Sequence, residues 1–151
     1  MAGISKRPGS SAAGASIMIK QLAVHTRGQG LLEVTRMVAD AVAQAAIAEG
    51  LCTIFVRHTS ASLVIQENAD PTAKQDLERW LNRLVPEGDP FYKHDTEGPD
   101  DMPAHIKSAL TQTSLGIPII EGRLALGTWQ AIYLWEHRRR GGERELVLHI
   151  G

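Results

Sequence analysis

The chain has 151 residues, of which 43% are hydrophobic and 22% charged, and its formal net charge is -1. That length suits one domain with a single core, and the nearly balanced charge removes the global attraction to nucleic acid that a basic surface would supply. Cys52 is the one cysteine, which excludes a disulfide framework and points to a reducing, cytoplasmic compartment.

Residues 1–16, MAGISKRPGSSAAGAS, are small and polar. They lack an apolar run long enough for a signal-peptide core or a membrane span, and Lys6 and Arg7 make only a faint targeting pattern, so a flexible tail is expected. Residues 17–151 read as one domain. SIMIKQLAVHT predicts a strand, and GQGLLEVT a glycine-marked turn into a second. Between Val34 and Glu49, Val34, Met37, Val38, Ala41, Val42 and Ala45 recur at helical spacing, with Gly50 as the stop. LCTIFVRH predicts a strand with Cys52, Ile54, Val56 and His58 on one face, and SLVIQE predicts the next.

In NADPTAKQDLERWLNRLVP, Asp70 suits an N-cap and Pro71 the first helical position. Ala73, Leu77, Trp80, Leu81 and Leu84 then form an apolar stripe that Pro86 ends. A polar loop from Glu87 leads to Asp101, where a short third helix starts with Ile106 and Leu110 as its apolar pair. Strand-like segments follow at 117–120, 124–126, 129–136 and 146–150, and RRRGGER reads as a hairpin tip. The order predicts an α+β fold, a layered and mostly antiparallel β-sheet sandwich with about three helices packed on it.

Several residues could carry chemistry. His58 ends a strand, His94 lies in the polar loop and His105 in the first turn of the third helix. Three neutral imidazoles would suit a transition metal with an open coordination position, whereas their scattered spacing alone favours separate surface or core roles. Glu67 and Asn68 stand at a strand-to-helix corner fit for proton transfer or anion binding. Thr59 and Ser60 follow His58, but strand neighbours point to opposite faces, so these hydroxyls suit phosphate binding better than nucleophilic attack. Arg138, Arg139, Arg140 and Arg144 cluster at the last hairpin, where either a solvated tip or one phosphate contact is consistent. Trp129, Tyr133 and Trp135 share one strand face, with core packing expected for at least two of them.

The segments HTSASLVIQENADP, YKHDTEGPDDMPAHIKSAL, SLGIPIIEGRLALGTWQAIYLWEHR and ELVLHIG occur in order from about Ile17 to Gly151. Together they resemble the YjbQ family, also described as the secondary thiamine-phosphate synthase family. The resemblance implies a compact α+β fold assembled as a homotrimer. It also implies a thiamine-phosphate synthase activity that joins a pyrimidine pyrophosphate to a thiazole phosphate with release of pyrophosphate. On that basis Glu67 and His105 are expected as catalytic residues, and His58, His94 and His105 as ligands of a divalent metal, zinc or magnesium. Thr59, Ser60, Asn68, Trp129, Gln130 and Arg144 are expected to bind a small phosphorylated substrate. Imidazole ligands favour zinc, while pyrophosphate chemistry favours magnesium. A metal-dependent phosphate-ester hydrolase and a non-catalytic module for a phosphorylated metabolite are the alternatives. Neither a nucleic-acid partner nor a membrane is expected.

Overall fold

The computed structural model describes residues 16–151, so the tail expected over 1–16 lies, but for Ser16, outside the described residues. In chain order the elements are β1 (Met18–His25), β2 (Gly30–Glu33), α1 (Thr35–Ala45), β3 (Gly50–Val56), β4 (Ala61–Glu67) and α2 (Pro71–Leu84). There follow α3 (Asp101–Leu110), β5 (Ser114–Ile120), β6 (Arg123–Leu124), β7 (Gln130–Glu136) and β8 (Glu143–Ile150). Every strand pairing is antiparallel. One sheet has the order β1-β8-β3-β5-β6 and the other β2-β7-β4. No helix among the described residues is long and apolar enough to cross a membrane.

The two sheets pack face to face because their inward positions are apolar at period two. In β3, Cys52, Ile54 and Val56 are buried, and across the ladder Ile54 faces Leu148 and Val56 faces Leu146. Leu63 of β4 with Ile132 and Leu134 of β7 supplies the opposite wall, and Val38, Ala41 and Val42 of α1 close one side. β7 is buried on both faces. Its other face presents Ala131, Tyr133 and Trp135 to a second cluster with Leu81 and Val85, against which Leu77 and Ile106 pack. The layers are therefore the five-stranded sheet, the three-stranded sheet, and α2 with α3. This is the α+β sandwich that the pattern of elements predicted.

Three local expectations change. α1 stops at Ala45 rather than at Glu49, with Ala46 in the left-handed region at φ 52° donating its N–H to Ala43. Gly50 opens β3 instead of stopping the helix, and a Cβ there would lie 3.0 Å from the Gly151 carbonyl oxygen, so close approach to the chain end requires the glycine. β3 ends at Val56, which leaves His58 beyond the strand. The stripe of α2 is only partly used: Leu81 is buried while Trp80 and Leu84 are more than half exposed. The Asp70 cap holds, accepting the Thr72 N–H at 2.9 Å, with Pro71 at the first helical position.

The exit from β7 carries buried polar groups. Glu136 and His137 are each 1% exposed. Oε1 of Glu136 accepts from Thr26 Oγ1 at 2.5 Å and from Arg144 Nε at 2.6 Å, and Oε2 accepts the N–H groups of His137 and Arg138. The Gly141 position lies so close to the Thr26 carbonyl that a Cβ would collide with its oxygen. His137 Nε2 lies 2.8 Å from Ser62 Oγ. Burial, aided by the charge of Lys107, pushes the His137 imidazole down to about 3.

That shift has a definite sign. The unfolded imidazole takes up a proton as pH falls through about 6.5 while the folded ring does not, so the unfolded state binds more protons between that value and about 3. Stability is complete above the upper limit and falls progressively below it, by about 2 kcal/mol at about pH 5. Chemical denaturation at about pH 7 and about pH 5 should show the native chain losing about 2 kcal/mol more than His137→Gln. Equal losses in the two proteins would mean that the ring becomes charged in place.

Candidate metal centre

The polar loop before α3 and the first turn of α3 bring three ligand-type side chains together. Asp101 and His105 are four residues apart on one helix face, and the loop returns His94 to the same point. The Asp101 side chain is 1% exposed, and its Oδ2 lies 2.8 Å from His94 Nε2 and 3.2 Å from His105 Nε2. The ligand atoms of the three residues all lie within 4.8 Å of one another. Donors bound to one tetrahedral ion at the usual zinc distances stand about 3.3 Å apart, so small side-chain adjustments would admit an ion.

The environment of each group sharpens this. His105 Nδ1 lies 2.9 Å from the Thr59 carbonyl oxygen. A carbonyl only accepts, so Nδ1 carries the proton; Nε2 then meets the Asp101 carboxylate as a second N–H when the ring is charged and as a lone pair when it is neutral. Two acceptors at that separation need a positive centre between them, either a proton or a metal ion. The other oxygen, Asp101 Oδ1, accepts from Arg138 Nη1 at 2.7 Å. Arg138 also donates through Nε to Asp100 Oδ2 at 3.0 Å and through Nη2 to the Glu97 carbonyl at 2.8 Å. Burial works to raise the Asp101 carboxyl, but the His94 hydrogen bond and the charges of His105 and Arg138 outweigh it and hold the group below the usual carboxylate range. The donor set of two imidazoles and one carboxylate fits zinc or another transition ion better than magnesium.

The expected site residues other than His94 and His105 lie outside the cluster, in three places. His58 stands apart from the cluster: its Nε2 accepts the Glu145 N–H at 3.0 Å, and burial followed by the Arg144 charge holds its ring below the ordinary imidazole range. It lines, with Arg57, Thr59, Ser60 and Thr113, a cavity of about 500 Å³, which Thr59 joins to His105. Glu67, Asn68, Trp129 and Gln130 meet at the far end of β4, where Glu67 pairs with Gln130 and the Asn68 N–H reaches the Trp129 carbonyl at 3.1 Å. Gln130 Oε1 accepts the Gly127 N–H at 2.8 Å, and Trp129 is 63% exposed. The length of β4 separates this corner from Thr59 by about 20 Å. Arg144 is engaged through Nε with Glu136, so its first role is as a buried counter-ion.

Sequence reasoning missed Asp101 as a candidate ligand and Arg138 as the group that holds it. The D-x-x-x-H spacing of Asp101 and His105 was the available signal, since it places both on one helix face.

A family model described as "UPF0047 protein YjbQ-like" matches residues 20–151. The UPF0047 protein sll1880 of Synechocystis is 54% identical over 129 residues, covering 85% of this chain and 88% of that one. The YjbQ protein of Escherichia coli O157:H7 is 51% identical over 98 residues, covering 65% of this chain and 70% of that one. Among solved structures, a YjbQ/UPF0047 protein of Clostridium acetobutylicum superposes with TM-score 0.79 at 35% identity, covering 87% of this chain and 99% of the other. A YbjQ-like protein of Sulfolobus solfataricus gives TM-score 0.81 at 26% identity, covering 89% and 96%. A family match that runs from β1 to the last residue, together with relatives more than half identical, shows that the chain belongs to the YjbQ/UPF0047 family.

Proposed function

We propose that the chain is a cytoplasmic, metal-assisted enzyme acting on a small phosphorylated substrate, with thiamine-phosphate synthase chemistry as its reaction. The observation that carries the reading is the facing of His105 Nε2 and His94 Nε2 on the single oxygen Asp101 Oδ2, a donor set that a transition-metal ion would satisfy. His94, Asp101 and His105 would hold the ion, which when bound supplies positive charge for a departing pyrophosphate. The adjoining cavity offers the hydroxyls of Thr59, Ser60 and Thr113 to phosphate oxygens. Arg138 keeps the Asp101 carboxylate ionised and aimed. The reaction class comes from the family resemblance, and the anion-handling geometry supports it.

A homotrimer belongs to this reading. Ile19, Leu51 and Phe55 lie on the outer face of the five-stranded sheet at 59%, 44% and 47% exposure, an apolar face that no helix among the described residues covers. Phe55 also lines the cavity beside His58, so a neighbouring copy on this face would enclose the substrate. It would also be the means of bringing a Glu67–Trp129 corner near the histidines. A second reading, a metal-dependent phosphate-ester hydrolase, is favoured by the half-exposed His94 side chain, which leaves water access to the cluster.

Zinc titration of the metal-stripped chain should give binding that His105→Ala and Asp101→Asn abolish and that Arg138→Lys weakens by about tenfold to a hundredfold. Affinity should also fall as the imidazoles protonate, since ligating nitrogens must be unprotonated. Unchanged binding in all three variants would end the assignment. Pyrophosphate release should require both the pyrimidine pyrophosphate and the thiazole phosphate, and should drop at least about a hundredfold in His105→Ala. Release from one substrate alone would favour the hydrolase, and no turnover with either would leave a binding module. Light scattering of Phe55→Glu should show a smaller species than the native chain.

A further inference from the structure

α3 carries a separate polar feature on its other side. Lys107 follows His105 by two residues, about 200° around the helix axis, and faces α2 and β7 instead of the histidines. It is 3% exposed, and its Nζ donates to Asn82 Oδ1 at 2.6 Å. It makes no ion pair among the described residues. The acids whose charge reaches it from a distance, Glu87 and Asp100, are engaged by Arg139 and Arg138. A lysine this deeply buried is normally paired, because an ammonium removed from water without a counter-charge is costly.

Beside Lys107 lies a chamber of about 160 Å³ whose walls include Gln29, Glu78, Asn82, Trp135 and His137. It is polar, with room for a few water molecules or one tetrahedral oxyanion. Glu136 also borders it, but Thr26, Arg144 and two backbone N–H groups engage both its oxygens. Glu78 uses Oε1 to accept the Leu31 N–H at 2.8 Å, and Oε2 remains an acceptor. An anion held here therefore meets one cation and one acceptor, which suits an oxyanion with its own hydroxyl and penalises one without. The chamber shares Gln29, Gly30, Glu78 and Glu136 with a groove of about 890 Å³ in which Arg27 and Lys74 stand.

We propose that this chamber is a second phosphate site, independent of the histidine cluster, in which Lys107 Nζ is the counter-charge of a hydrogen phosphate group and Glu78 accepts its hydroxyl. The phosphate is either free or the head of a small monoester whose organic part lies in the adjoining groove.

Thermal unfolding of the metal-stripped full chain, with inorganic phosphate and glycerol 3-phosphate as probes and sulfate as control, tests this. Phosphate should raise the midpoint and sulfate should not, and the stronger of the two phosphate probes identifies the source. Asn82→Asp places a carboxylate on Lys107 from an exposed position. It should raise the midpoint without ligand and weaken phosphate binding about tenfold or more. Lys107→Met should lose the phosphate response, and His105→Ala should keep it. The site is refuted if native chain shows no phosphate response, if sulfate acts equally, or if Asn82→Asp and Lys107→Met both retain the response. A response lost in His105→Ala but kept in Asn82→Asp would move the phosphate to the histidine cluster and overturn this inference while leaving the metal-centre reading intact.

Discussion

The buried carboxylate of Glu136 is the interaction on which the rest of this structure hangs. An ionised carboxylate at 1% exposure is tolerable only when its charge and lone pairs are met. Here Arg144 of β8 meets the charge, and Thr26 at the end of β1 with the N–H groups of His137 and Arg138 meets the lone pairs. One side chain thus joins the end of β1, the start of β8 and the exit of β7. It also sets the path by which the chain leaves the sheet. Because the Arg138 N–H is tied to that carboxylate, its guanidinium departs in a fixed direction and reaches Asp100 and Asp101.

β7 can hold this position because it lies in the middle of the molecule. It is central in its sheet, between β2 and β4, and both faces are buried, one against the five-stranded sheet and the other against α2 and α3. A strand clamped on two faces and two edges has little freedom to shift register, since a slip of one residue would exchange Ile132 and Leu134 with Tyr133 and Trp135. The site at its end inherits that rigidity. The corner at its beginning, Trp129 and Gln130, does not, and there the Gln130 side chain has to brace the turn by accepting the Gly127 N–H.

What the sequence made legible was local. The Asp70–Pro71 start of α2, the inward alternation of Cys52, Ile54 and Val56, and the burial of Tyr133 and Trp135 all follow from spacing or side-chain chemistry within a few residues. His94 and His105 were visible as imidazoles worth watching, and they do meet. What stayed hidden depends on pairings far apart in the chain. Gly50 reads as a helix stop until Gly151 is seen lying against it. Trp80 and Leu84 read as core because periodicity cannot tell how wide a face the neighbouring sheet covers. Arg144 and Arg138 read as a charged hairpin tip until a buried Glu136 and an Asp100–Asp101 pair are placed beside them. His58 reads as a strand end and ligand, but β3 stops before it and its free nitrogen lies on the Glu145 N–H.

The same geometry makes α3 a divider between two kinds of electrostatics. On one side Asp101 gathers Arg138 and two imidazoles around one carboxylate, an arrangement poor in positive charge at Oδ2 unless a proton or ion lies there. On the other, Lys107 brings a positive charge into a chamber without a carboxylate paired to it. Both imbalances sit within two helical turns, and neither can be relieved by moving the helix. Arg138 anchors its first turn to the β7 exit, and Thr111 closes its end by donating to the Lys107 carbonyl at 2.8 Å. A helix so held keeps the two environments apart, the carboxylate and imidazoles of the Asp101 face on one side and the buried ammonium of Lys107 on the other.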